Sequence, residues 1–163
     1  MQGLPPLKLN RAVHLLKRWR ALEPWERRLL ARLFFQLPSV WVRLRVYGFN
    51  RMREAAETEL PTIPAVTEQV AMDFAQRSVE LTAIAARYGL YKANCLHQSL
   101  ALCRLLRQRG MPARLRIGVR LQTQLFQAHA WVELFGVPLG SQSVAEYEVF
   151  ESLKPNHETA TSV

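Results

Sequence analysis

Apolar positions recur every three to four residues through roughly the first hundred positions and every second residue after that, the signature of helices followed by a small sheet. Leu9, Val13, Leu16 and Leu22 stand at helical spacing amid Lys8, Arg11, Lys17, Arg18 and Arg20, which predicts a basic amphipathic helix over 8–22. Glu23-Pro24-Trp25-Glu26 predicts a fresh helix start, because proline suits the first turn and a carboxylate favours the positive end of the helix. Leu29, Leu30, Leu33, Phe34 and Leu37 continue it as a wide apolar stripe. Pro38 is expected to end that helix, and a third is expected from Ser39 to about Glu57, with Val40, Trp41, Leu44 and Tyr47 apolar.

Leu60-Pro61-Thr62-Ile63-Pro64 reads as a hinge, since each proline pushes the residue before it out of helical geometry. It divides a basic helical subdomain, 1–60, from a core of 61–153, with a flexible polar tail over 154–163. Thr67-Glu68-Gln69-Val70 opens the next helix, with Val70, Phe74, Leu81, Ile84 and Ala85 expected on its buried face and Tyr88-Gly89 at its end. From Leu96 to Arg109 the pattern is apolar on most sides, so this helix is expected deep in the core. Gly110 would cap it and Pro112 forbids its continuation. The period then becomes two. Leu115, Ile117 and Val119 alternate with Arg114, Arg116 and Arg120, and Gln122-Thr123-Gln124 makes a turn. Ala128, Ala130, Val132 and Leu134 then face one side of a second strand while His129, Trp131 and Glu133 face the other. Phe135-Gly136-Val137 turns into a third strand, and Tyr147 to Phe150 supplies a fourth. The class is α+β, helices first and an antiparallel sheet after.

Composition narrows the setting. The 163 residues suffice for one core, and the net charge of +9 favours acidic partners over basic ones. The basic N-terminal helices read most plainly as a packed subdomain, with a membrane-surface element as another reading. Nucleic-acid binding is not expected, because no strand carries stacking aromatics and no recognition helix is apparent. The stretch from Leu29 to Leu44 comes nearest to a membrane span but is interrupted by Arg32, Gln36, Pro38 and Arg43, so stable membrane insertion is not expected. Cys95 and Cys103 lie in one helix at a separation that forbids their pairing, and the start lacks the features of a secretory signal. A reducing cytoplasm is the expected compartment.

The candidate chemistry lies in Asn94-Cys95-Leu96-His97-Gln98-Ser99 and Ala128-His129-Ala130-Trp131. A cysteine in the first turn of a helix has backbone N–H groups and the positive dipole end beside it, which favour thiolate over thiol. An imidazole packed against it would allow a thiolate–imidazolium pair to form before substrate arrives, and the N–H of Cys95 is a natural oxyanion donor. Each residue has a plainer reading: a small buried hydrophobe for a lone cysteine, a satisfied polar group for a lone histidine. Cys103 takes the plain reading outright. His97 is close enough to Cys95 to rival His129. Trp131 reads as a packing slab beside the site and is assigned to substrate binding. Glu133 is expected to be solvated, and Ser99 to be a buried hydroxyl bonded to backbone. No metal is expected, since two cysteines and scattered histidines offer no ligand spacing, and no cofactor is implied.

Cys95-Leu96, Ser99-Leu100-Ala101-Leu102, Leu105-Leu106-Arg107-Gln108-Arg109-Gly110-Met111-Pro112-Ala113, Ile117-Gly118-Val119-Arg120 and Ala128-His129-Ala130-Trp131-Val132-Glu133 together resemble a known family. This is the transglutaminase-like leader peptidases of lasso-peptide biosynthesis, the B2 proteins, which include the C-terminal part of the microcin J25-processing enzyme. The resemblance runs from about Leu81 to Ser152, whereas the Arg-rich N-terminal third is similar in character only. It implies a papain/transglutaminase-like fold and a Cys–His–Asp triad. It also implies removal of a leader from a ribosomally made precursor before a separate macrolactam-forming cyclase acts. Cys95 and His129 carry over directly. The aspartate does not: its place falls at Ser141, and Gln142 or, more weakly, Ser141 is left to orient the imidazole. No leader-recognition module is apparent, so the resemblance implies a separate B1-type leader-binding protein. The rival readings are a catalytically weakened or inactive scaffold that binds precursor or partner, and an acyl-transfer enzyme of the same fold.

Overall fold

The computed structural model describes residues 19–58, 67–122, 125–140 and 144–149. The helix expected over most of 8–22, the hinge at 60–64, the turn at 123–124 and the tail lie largely or wholly outside them.

Helix α1 runs Pro24–Glu57, with Pro24 in its first turn and the Glu23 N–H donating 2.7 Å to Glu26 Oε2. The expected stop at Pro38 does not occur. Leu29, Leu30, Leu33, Leu37 and Val40 are all buried along one face, so the apolar stripe crosses the proline without a break. Continuous burial of that stripe outweighs the roughly 3 kcal/mol that a helix-interior proline costs. The break falls instead at Gly48, whose φ of 76° and ψ of 170° are open almost only to glycine. Beyond Leu44 the outer face is solvated, and the apolar Trp41 and Tyr47 are exposed.

Helix α2, Glu68–Tyr88, begins after Thr67 and ends at Gly89 as the sequence predicts. Of its expected face, Leu81 and Ala85 are buried and Phe74 and Ile84 pack partly buried against the core, but Val70 is 54% exposed. Ala71, Ala75, Ser78 and Thr82 complete the buried stripe. Small residues at this spacing let the backbones of neighbouring helices approach, whereas Val70 lies about 100° round the helix from Ala71 and off that stripe. Glu26 of α1, buried, takes a charge-assisted hydrogen bond from Arg77 of α2, which holds its carboxyl below the usual range.

Helix α3, Cys95–Arg107, is the central element. Leu100, Ala101, Cys103, Leu105 and Leu106 are almost fully buried. Gly110, at φ 75°, terminates it in the left-handed conformation, with the Met111 N–H returning to Leu106 O at 3.1 Å. α1 is bound to α3 by Gln36 Nε2 donating to Ala101 O and Arg32 to Gln108 Oε1.

Strands β1 (Ala113–Gln122), β2 (Leu125–Leu134), β3 (Val137–Pro138) and β4 (Glu148–Val149) form one antiparallel sheet in the order β3-β2-β1-β4. The β1/β2 register pairs Leu115 with Val132 and Gly118 with His129. The β2/β3 turn uses Phe135 and Gly136, both at positive φ, as a tight hairpin requires. Leu115, Val132 and Leu134 pack on the helices in the same core as the buried leucines of α1 and α3. The fold is α+β, with α3 laid on the sheet.

Candidate active site

Cys95 occupies the first turn of α3 because Asn94, in extended geometry, caps that helix. Asn94 Oδ1 accepts the His97 N–H at 3.1 Å and Asn94 O accepts that of Gln98 at 3.1 Å. Among the described residues the N–H groups of Cys95 and Leu96 have no hydrogen-bond partner. They are the two orphan donors that the cap leaves free beside the thiol.

His129 arrives from β2, and a single buried bond ties its strand to the helix of the cysteine. Ser99 Oγ, one turn below Cys95, donates 2.9 Å to Ala130 O. Cys95 and His129 line the same pocket of about 460 Å³. Its floor comes from Gln98, Ser99 and Leu102 of α3, one wall from Val79, Thr82 and Ala83 of α2, and the rest from β2 and the segment beyond β3. Among the described residues no Asp, Glu, Lys or Arg lines it. Successive residues of a strand face opposite ways, yet His129, Ala130, Trp131 and Val132 all border the pocket. The cavity therefore spans an edge of β2. Among the described residues β3 pairs only with Glu133 and Leu134, so it does not reach alongside His129.

The imidazole sits in an aromatic cluster. Its centroid is 6.2 Å from that of Trp131, nearly parallel to it, and 5.4 Å from that of Tyr147. Burial, and then the positive charge of Arg120, push its pKa below the ordinary histidine value. Both causes act against the charged form of the ring. Among the described residues no hydrogen bond joins Cys95 to His129.

Trp131 is only 5% exposed, and its Nε1–H donates 3.4 Å to Glu133 Oε1. Glu133 is not solvated as expected; it forms a 2.9 Å ion pair with Arg116 across the β1/β2 ladder. His97 is outside the pocket lining, with its Nδ1 against Asn94 Oδ1 and its ring edge-on to Tyr91. Cys103 is fully buried, and burial pushes its thiol up to about 12. Ser141 and Gln142 lie outside the described residues, although Gly140 and Val144, which flank their segment, both line the pocket. Among the described residues no group of three His, Cys, Asp or Glu could hold a metal, and no helix is long and apolar enough to cross a membrane.

Sequence reasoning missed Tyr147 and Gly118 as parts of this site. The available signal was Gly118 itself, since a glycine inside a strand marks a close approach.

Residues 35–153 match the transglutaminase-like superfamily. The chain is also 39% identical to the microcin J25-processing protein McjB of Escherichia coli over 61 residues. That stretch is 37% of this chain and 28% of McjB, so the chain matches less than a third of that relative's length. No solved structure gives a significant match. Both matches agree with the resemblance seen in the residues around Cys95 and His129.

Proposed function

The chain belongs to the transglutaminase-like superfamily, and from that premise we propose that it is a cysteine peptidase removing the leader from a ribosomally made precursor in lasso-peptide maturation. The observation that carries this reading is that Cys95, at the capped start of α3, and His129, on β2, border one pocket with no charged side chain among its described lining residues. The likeness to a protein named for processing microcin J25 supplies the substrate class.

In this mechanism the neutral His129 takes the Cys95 Sγ–H proton as sulfur attacks the carbonyl carbon of the leader–core peptide bond. The oxyanion of the tetrahedral intermediate lies against the free N–H groups of Cys95 and Leu96. Collapse breaks the C–N bond, and the imidazolium gives its proton to the departing core amine. Water, deprotonated by His129, then attacks the thioester, which releases the leader carboxylate and restores the thiol. Ser141 and Gln142 are assigned to orient His129, and Trp131 to form the wall against which substrate lies. A separate leader-binding protein of B1 type presents the precursor to this chain, and a macrolactam-forming cyclase acts on the product, in the reducing cytoplasm. The basic N-terminal helices are the landing surface for that protein or for an acidic leader. Domain boundaries near 60 and 153 go with this reading.

A second reading is a weakened or inactive homologue that acts as a scaffold, and Ser141 in the place of the family's aspartate favours it. In a serine enzyme, altering the triad carboxylate cost about 10⁴ in kcat. The deciding experiment incubates the precursor with this chain and the leader-binding protein, comparing wild type with Cys95→Ala by mass spectrometry. Cleavage abolished in Cys95→Ala supports the peptidase. Binding of the precursor without cleavage by wild type overturns it in favour of the scaffold.

A further inference from the structure

We propose that His129 is held in place by an aromatic clamp of Trp131 and Tyr147, for which Gly118 clears the space. The inference rests on the reading of His129 as the proton carrier for Cys95.

The three rings form a closed set. Centroid separations are 6.2 Å for His129–Trp131, 5.4 Å for His129–Tyr147 and 6.3 Å for Trp131–Tyr147. The His129 and Trp131 planes differ by only 16°, while Tyr147 closes the set at 42° to the imidazole. Each jaw of the clamp is anchored separately. Trp131 is bonded to Glu133, which Arg116 holds in turn. Tyr147 lies under the Arg120 guanidinium, 4.9 Å from its ring centroid, and Arg120 is fixed by Gln127 and by Glu146 at 2.5 Å. Rings packed in this way resist rotation of the imidazole out of its plane.

Gly118 pairs directly with His129 across the β1/β2 ladder. A Cβ there would come 2.8 Å from Trp131 Cη2, 2.9 Å from Tyr147 Cβ and 3.0 Å from Glu148 O. Two of those three atoms sit on or next to the backbone of the β4 segment, so they yield only if the strand moves. A mid-strand glycine weakens its strand, and here the vacated volume is filled by the jaws of the clamp.

A triad carboxylate both orients the imidazole and stabilises its charged form. The clamp does only the first. The charged groups that face the cluster are Arg120, paired with Glu146, and Glu133, paired with Arg116. Trp131 and Tyr147 are therefore positioning residues that act through the geometry of His129, alongside the orienting role proposed for Ser141 and Gln142.

The test uses the full chain and needs no substrate. The rate of Cys95 alkylation by iodoacetamide is followed from pH 5 to 9, and the ring-proton resonances of His129 are recorded by NMR. His129→Ala should change the pH profile of alkylation. Tyr147→Leu and Gly118→Ala should shift the same profile and slow its plateau by about tenfold, the scale of a misplaced catalytic group. Tyr147→Phe, which keeps the ring, should stay within about twofold of wild type. In the wild type the His129 ring protons should resonate upfield through the ring currents of its neighbours, and that shift should shrink in Tyr147→Leu. If Tyr147→Leu folds but keeps the wild-type pH profile and the upfield shift, the clamp is wrong, while the Cys95–His129 pairing stands. If His129→Ala leaves the alkylation profile unchanged, the pairing itself fails. Should Gly118→Ala not fold, Tyr147→Leu on the half-exposed edge of the sheet still decides.

Discussion

Replacing Ser99 by alanine tests whether a single buried bond locks the helix of the cysteine to the strand of the histidine. Ser99 Oγ and Ala130 O are 2.9 Å apart, and Ser99 is buried. Val132 O on the same edge of β2 receives the Leu139 N–H at 2.9 Å, but β3 does not extend far enough to serve Ala130. Among the described residues, Ser99→Ala therefore removes a donor that no neighbouring strand replaces. The lost bond is worth about 1 kcal/mol net, and stranding the Ala130 carbonyl raises the total to about 1–3 kcal/mol. With a urea dependence of roughly 2 kcal/mol per molar, the unfolding midpoint should fall by about 0.5–1.5 M at an unchanged slope. Equilibrium unfolding in urea, followed by circular dichroism and tryptophan fluorescence together, measures this. The same variant should slow alkylation of Cys95, because the sulfur and the imidazole lose their common reference. A midpoint within about 0.2 M of wild type would refute the reasoning, since a buried carbonyl without a partner cannot be that cheap.

Burial lowers the pKa of His97, and among the described residues its Nε2 has no hydrogen-bond partner. The unfolded chain therefore binds protons more readily than the folded one, so stability should be complete above about pH 6.5 and should fall as pH drops from there toward the folded-state value. His97→Gln should keep only the share of this slope due to His129, as measured by melting temperature against pH. Native protein at pH 8 should take up one equivalent of a thiol reagent, at Cys95, with Cys103 reacting only on unfolding because burial pushes its thiol up to about 12. Peptide mapping of the labelled site checks this, and labelling of Cys103 in the native state would contradict the packing of α3. Pro38→Ala and Gly48→Ala should change stability in opposite directions. The first restores an N–H to a helix that runs through it, and the second strains a backbone at φ 76° by about 1–3 kcal/mol with no neighbour within 4 Å to blame.

What the chain encodes locally was legible from its residues. The change of apolar period after Pro112, the termination at Gly110, and the helix from Thr67 to Gly89 each depend on forces that act within a few positions. Cys95 in the first turn of α3 and His129 on β2 were legible for the same reason, since a cap residue and a strand alternation place each of them. Packing decided the rest. Pro38 stays inside α1 because burial of leucines on both sides of it outweighs a local penalty. Beside Leu81, which the hydropathy pattern places, the stripe of α2 is filled out by Ala71, Ala75, Ser78 and Thr82, small residues that let another helix come close and that hydropathy does not mark. The reach of Ser99 to Ala130, the meeting of Gly118 with Trp131 and Tyr147, and the effect of Arg120 on His129 join positions distant along the chain. Such pairs exist only once the chain has closed, because the energy of a contact depends on distance in space, and spacing along the sequence specifies distance only within one element.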